Sequence, residues 1–275
     1  MAKIDRLGWA DGMSFTSYGV RVGVRVNDSA ILKDVIARLP PGSKPASFAV
    51  TDHLYSIIGS RAKPDSRVRR LSLGYWNLVR FARARQFDSV LDAFESHVQL
   101  TVAEYAPRRI FVHAGVVGWK DRAILIPGLS HSGKTTLVDQ LIRAGATYYS
   151  DEYAVLDARG RVHAYPRALG MRLPDGQASK KVRAEEIGAA VGSKPLRVGV
   201  VVSTTYKDGA RWRPKQISRG KGVLELMSHT VSARSQPELA LAVLPAALES
   251  ARILKGVRGE ASEIVKSILE SVEIV

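Results

Sequence analysis

The chain has 275 residues, of which 45% are hydrophobic and 24% charged, with no cysteine. That is enough apolar side chain for one large domain or two modest ones, and it excludes disulfides, thiolate metal sites and cysteine nucleophiles. Against 26 Asp and Glu stand 41 Lys and Arg, a formal net charge of +15, which favours acidic partners such as nucleotides, nucleic acid or an acidic protein surface. Residues 1–14 hold Asp5 and Asp11 and no long apolar core, so no secretory signal is expected there. No run approaches the 18 apolar residues of a membrane span, and a cytoplasmic location is the default expectation.

In chain order, the alternation of Val20, Val22, Val24 and Val26 with Arg21, Gly23 and Arg25 predicts a half-buried strand. Asn27, Asp28 or Ser29 can cap a short helix over 30–39, which Pro40-Pro41-Gly42 ends. Short strands are expected over 47–50, 54–59 and 68–75. Val90, Leu91, Phe94, Val98, Leu100, Val102 and Ala103 predict an amphipathic helix over 89–105, closed by Pro107. An N-terminal α+β module of residues 1–106 is therefore expected to precede a second module of residues 107–275.

Beyond Pro107, apolar runs predict strands over 110–117 and 123–126, with 118–121 as the turn between them. A helix follows over 136–142 and ends near Gly145. Residues 147–157 read as a strand interrupted by Asp151 and Glu152. Short strands are expected over 162–165 and 169–173, and a buried strand over 197–204. Helices are expected over 222–234, over 238–254 with an interruption at Pro245, and over 261–272. No internal repeat or low-complexity segment is present.

The sharpest motif is Gly128-Leu129-Ser130-His131-Ser132-Gly133-Lys134-Thr135, which fits G-x-x-x-x-G-K-[ST] between a predicted strand and a predicted helix. In such a loop, glycines let backbone N–H groups turn toward phosphate, and the helix N-terminus adds partial positive charge. Gly128, Ser130, His131, Ser132, Gly133, Lys134, Thr135 and Thr136 are the candidate phosphate-binding residues. Lys134 is expected to reach the β- and γ-phosphates, and Thr135 to place its hydroxyl on Mg²⁺.

Phosphoryl transfer also needs carboxylates for metal and acceptor. Asp151 and Glu152 follow the loop helix by one strand, and strand neighbours point to opposite sides, so they are expected to do different work: one at the reacting centre, one in the metal shell. His113 lies mid-strand, where a histidine is more often a core residue; near a catalytic carboxylate it could instead hold the base. The basic segments 61–70, 80–85 and 207–221 read first as solvated faces. Only Trp212 is interleaved in the densest of them, whereas binding to single-stranded nucleic acid favours several stacking aromatics, so nucleic acid is not the expected partner.

Taken together, F-V-H-A-G-V-V around His113, I-L-I-P-G-L-S-H-S-G-K-T-T around Lys134, and Y-Y-S-D-E-Y-A around Asp151 resemble, in order and spacing, the catalytic domain of HPr kinase/phosphorylase and the shorter HPr-kinase-related proteins of bacteria. The match covers a little over half of the chain. The resemblance implies an α/β phosphate-loop domain of the HPr kinase and phosphoenolpyruvate carboxykinase type, with ATP and Mg²⁺ as cofactors. It gives Asp151 the role of base toward an acceptor serine, Glu152 that of the second acid, and His113 that of the histidine linked to the catalytic acid. Thr135 stands where the family has its metal-binding Ser or Thr.

There are departures from the family pattern. Glu152 replaces an aspartate, and the family's downstream glycine-and-arginine motif is not clear; Arg167 and Arg172 occupy that region and are candidates for phosphate or substrate. Phosphorylase activity is therefore in doubt, as is HPr as the acceptor. The expected activity is transfer of the ATP γ-phosphate to a serine hydroxyl of a protein or peptide. The alternatives are a small-molecule kinase, an ATP-binding regulatory module without transfer, and, from charge alone, a nucleic-acid-associated ATPase. The family's ring-forming habit hints at a homo-oligomer.

Overall fold

The computed structural model describes residues 3–59, 71–129, 132–172 and 179–273. They form a mixed α/β protein with several sheets and six α-helices among the described residues. The chain divides into two compact units, Met1–Pro107 and Arg108–Val275.

In the first unit, β1 (Asp11–Ser17) and β2 (Val20–Val26) form a hairpin. Tyr18 and Gly19 turn it with positive φ at both positions, the backbone that matches strand twist in a two-residue hairpin. After α1 (Leu32–Ile36) come β3 (Lys44–Ala46), β4 (His53–Ile58), β5 (Ser72–Trp76) and β6 (Val79–Ala84), in the sheet order β3-β1-β2-β4-β5-β6. The helix α2 (Phe87–Tyr105) packs on β5 and β6 and buries Val90, Leu91, Phe94, Val98, Val102 and Ala103, as expected from their spacing, whereas Leu100, also expected on that face, is exposed. The strand expected over 47–50 is instead Lys44–Ala46, paired to β1. Residues 68–70 of another expected strand lie outside the described residues.

The second unit is built on an eight-stranded sheet. Its strands are β7 (Ile110–Trp119), β8 (Arg122–Pro127), β9 (Thr147–Ser150), β10 (Tyr153–Leu156), β11 (Val162–His163), β14 (Arg197–Tyr206), β15 (Lys215–Gln216) and β16 (Arg252–Arg258), ordered β11-β10-β7-β8-β14-β16-β15 with β9 also beside β7. A separate pair joins β12 (Leu169–Arg172) to β13 (Ser179–Val182). The helices α3 (Lys134–Arg143) and α6 (Ala261–Glu273) cover one sheet face, burying Ile124, Ile126, Leu137, Leu141, Val200, Val202 and Ile268. The helices α4 (Arg219–Ser228) and α5 (Pro237–Ala247) cover the other, over Ala114, Leu125, Val201, Leu226 and Leu244. Alternate residues of β8 and β14 thus feed two cores, which is why both strands read as continuous apolar runs.

The helix expected over 238–254 ends at Ala247, two residues past Pro245, which has no N–H to continue the ladder. The next element is β16, parallel to β14. Ile253 enters one core and Leu254 the other, a period of two that a helical window does not catch. The helix expected over 222–234 is Arg219–Ser228, started by the Ser218 side chain on the Lys221 N–H. The turn expected over 118–121 narrows to Lys120-Asp121, both at positive φ. The strands β1, β6 and β13 are additions that the apolar pattern does not mark.

Candidate active site

The strands β8, β14 and β16 run parallel, and β9 runs the same way because it and β8 both pair antiparallel with β7. Their carboxyl ends meet at one edge, where open α/β sheets place ligands. There the chain leaves β8 at Gly128, whose N–H still donates to the His113 carbonyl at 3.2 Å. As the loop departs, residues 229–231 take its place beside β7: the His113 N–H donates to the His229 carbonyl at 2.8 Å, and the Val231 N–H to that of Phe111 at 2.9 Å.

The loop returns into α3 through Gly133, at a left-handed φ of 83°. Lys134 opens the helix and is only 7% exposed, and its ammonium donates to the carbonyls of Gly128 and Leu129, each at 2.7 Å. Burial lowers its proton affinity, and the charges of Glu152 and Asp151 oppose that shift. The helix can lie this close to β7 because residue 115 is glycine: a Cβ there would stand 2.6 Å from Val138 Cγ2. Ser132 is half-buried, its N–H 3.3 Å from the Leu129 carbonyl. Thr136 is exposed on the first turn of α3. Ser130 and His131 lie outside the described residues.

Between β9 and β10 the chain kinks around the Ser150 hydroxyl, which accepts the N–H groups of Glu152 at 3.1 Å and Tyr153 at 3.0 Å. The kink sends the two carboxylates to different partners. Asp151, 8% exposed, lies toward the loop, with its Oδ2 3.5 Å from the Thr135 hydroxyl and its Oδ1 3.2 Å from the Tyr148 hydroxyl. The single Tyr148 proton is shared with the Arg167 carbonyl, at 2.9 Å. Burial first, and then the neighbouring Glu152 charge, hold the Asp151 carboxyl above its ordinary value, against Arg167, Tyr148 and the Gly170 N–H.

Glu152 turns the other way. Its Oε1 is 3.0 Å from His113 Nε2, and its Oε2 is 3.4 Å from Arg167 Nη1. Burial pushes this carboxyl up, but the His113 hydrogen bond and the charges of His113, Arg167 and Lys134 outweigh it, so it titrates below its ordinary value. Behind His113, Tyr153 packs at 5.8 Å between ring centres, within an edge-to-face group with Phe111 and Tyr165.

The structure thus gathers Lys134, Thr135, Asp151, Glu152, His113 and Arg167 at one edge, with the links distributed differently from the expectation. His113 holds Glu152, not Asp151, and Glu152 is engaged by His113 and Arg167 rather than standing beside Thr135. Arg172 ends β12, but its side chain lies outside the described part. Three contributors carry no signal in the sequence pattern. Tyr148 reads as an ordinary strand aromatic. His229 lies where Glu225, His113, Lys134 and Lys255 all act on it, its ring held below its ordinary value mainly by burial, and no local motif marks it. Arg258 falls beyond a stretch whose apolar spacing suggests helix rather than strand.

A thiol-free site of hydroxyl and carboxylate oxygens suits Mg²⁺, which takes one or two carboxylates and fills its shell with water and phosphate oxygens. The Thr135–Asp151 pair offers that donor set. Among the described residues no group of three or more His, Asp or Glu side chains is gathered as an all-protein metal cage. Nor is any described helix long and apolar enough to cross a membrane.

No family model matches the chain, and no curated protein matches it. Among solved structures it is similar to the HPr(Ser) kinase/phosphatase from Coxiella burnetii, at 12% identity over 60% of this chain and 96% of that one, with a TM-score of 0.33.

Proposed function

We propose that this protein is an ATP- and Mg²⁺-dependent kinase, its second unit a phosphate-loop domain of the HPr kinase type, that transfers the γ-phosphate to a serine hydroxyl of a protein or peptide. The observation that carries this reading is the divergent pair Asp151 and Glu152. Adjacent in sequence, one has its proton affinity raised and faces the loop, and the other has it lowered and is held by a histidine and an arginine. Carboxylates pushed apart in this way divide proton transfer from electrostatic support. The serine acceptor rests on the motif resemblance.

Lys134 and the loop amides bind the donor phosphates, the ammonium exchanging two carbonyls of its own loop for phosphate oxygens. When bound, Mg²⁺ neutralises phosphate charge; Thr135 and Asp151 are the residues that would hold it. Asp151 orients the acceptor hydroxyl and takes its proton. The serine oxygen forms its bond to the γ-phosphorus as the bond to the β,γ-bridging oxygen breaks, and ADP leaves with that electron pair. Glu152, fixed by His113 and Arg167, stays ionised and keeps the Asp151 carboxyl basic. The test is incubation with γ-labelled ATP and a lysate of the source cells, with labelled species identified by mass spectrometry. Label on serine in the presence of the wild-type protein, absent with Asp151→Asn, is expected. Nucleotide binding without transfer to any acceptor would leave a regulatory module as the better reading.

A further inference from the structure

Arg258 is a buried cation with no carboxylate in contact among the described residues. It ends β16, is only 3% exposed, and lies against the N-terminus of α3. Its Nη2 donates to the Gly133 carbonyl at 3.1 Å and its Nη1 to the Gly259 carbonyl at 2.9 Å. Its Nε is buried and has no hydrogen-bond partner among the described residues. No described carboxylate lies within ion-pair distance of it; the charge of Glu260 favours the guanidinium from farther off, while that carboxylate accepts from the Tyr206 hydroxyl at 3.0 Å. The guanidinium lies over the Tyr206 ring, 5.4 Å from its centre, the one cation–π contact it makes among the described residues.

In the protein alone this arrangement is unfavourable twice over. A buried cation whose nearest counter-charge is not in contact with it is costly, and the N-terminus of a helix already carries partial positive charge. An anion at the loop would reverse both terms. The fit is close: a Cβ on residue 133 would stand 2.4 Å from Arg258 Nη2, so the same glycine that allows the left-handed turn also admits the guanidinium.

We infer that Arg258 is a positioning residue for polyphosphate: from behind the loop it holds the Gly133 carbonyl in place, and its only partly balanced charge is matched when the phosphates bind. This rests on the reading of the loop as a nucleotide site. The test uses the full chain with Arg258→Gln and Arg258→Lys, a fluorescent ATP analogue with Mg²⁺, and competition by ATP, ADP and inorganic triphosphate. Affinities are measured well below each variant's melting temperature.

Arg258→Gln is expected to weaken binding of ATP and triphosphate at least tenfold and ADP less, to raise KM more than it lowers kcat, and to leave ligand-free thermal stability unchanged or higher. Arg258→Lys should recover part of the affinity. A role confined to structure predicts the reverse: lower ligand-free stability, with equal loss, or none, for ATP and ADP. That result overturns the inference, as does wild-type affinity for ATP in the folded Gln variant. If the wild-type chain itself binds neither nucleotide nor triphosphate, the nucleotide-site reading is what fails, and the inference falls with it.

Discussion

Asp151 and Asp157 lie at opposite ends of one short strand, both nearly buried, yet they hold their protons in opposite ways. Asp157 accepts from the N–H groups of Arg159 at 2.9 Å and Arg161 at 3.0 Å, from Arg161 Nε at 3.2 Å, and pairs with His163 Nε2 at 2.9 Å. Burial works against its charge, but the His163 bond and the two backbone donors prevail, and its carboxyl is pushed down to about 2. Asp151 has a shared tyrosine proton, the Gly170 N–H, a distant threonine and the Arg167 charge, but deeper burial and the charge of Glu152 beside it outweigh them. A carboxylate whose lone pairs are satisfied by its own fold secures a turn. One buried beside another negative charge, with donors too few to offset both, holds a proton more tightly.

The largest test of this contrast is Asp151→Asn, which keeps the shape and removes the proposed base. Phosphate transfer is expected to fall by roughly 10²–10⁴, the range of a lost general base, with nucleotide affinity within a few-fold of wild type. Transfer near the wild-type rate would show that Asp151 is not the base. At Asp157 the effect should appear in stability: Asp157→Ala strands several donors and is expected to cost about 2–4 kcal/mol, read as a shift in the urea midpoint, with little change in kcat for whatever variant remains folded.

Acid titration separates the two carboxyls by sign. Because the folded value of Asp157 lies below its ordinary 3.8, its stabilisation is full above that pH and is lost as pH falls toward about 2, on the order of 1–2 kcal/mol after allowing for solvent screening. That loss should vanish in Asp157→Asn. Asp151, raised when folded, contributes most while protonated and loses that contribution as pH rises through its folded value, so activity is expected to rise with pH over the same interval. The smallest effect is at Arg167. Since its charge lowers the Asp151 value, Arg167→Gln is expected to move the acid limb of the pH–rate profile to higher pH. A shift to lower pH, or none, would remove Arg167 from the electrostatics of the base.

Much of this edge is legible in the sequence because its pieces are local. The loop needs only contiguous residues, and a kink that separates two adjacent carboxylates agrees with a strand broken at Asp151-Glu152. The fold of the second unit is legible wherever an apolar run is long, as in β7, β8 and β14. It is obscured where one element changes into another within a few residues. Pro245 marks a disturbed helix, but nothing local says that Arg252-Ile253-Leu254 leaves it for the interior of a sheet. The hairpin strand β1 and the exposed β6 escape notice for a related reason: strands with few buried residues are held by their partners more than by their own pattern.

By itself, then, the sequence determined a glycine-bearing loop between strand and helix, a carboxylate pair one strand downstream and a histidine one strand upstream, because spacing along the chain and strand alternation fix those relations locally. Only the tertiary structure decided who meets whom. It set His113 on Glu152 instead of Asp151, brought residues 229–231 into the line that the loop vacates, and carried Arg258 across 125 positions of sequence to the Gly133 carbonyl. Those contacts depend on the order and direction of strands in a sheet, set by the burial of two apolar faces at once and not by any short segment of the chain.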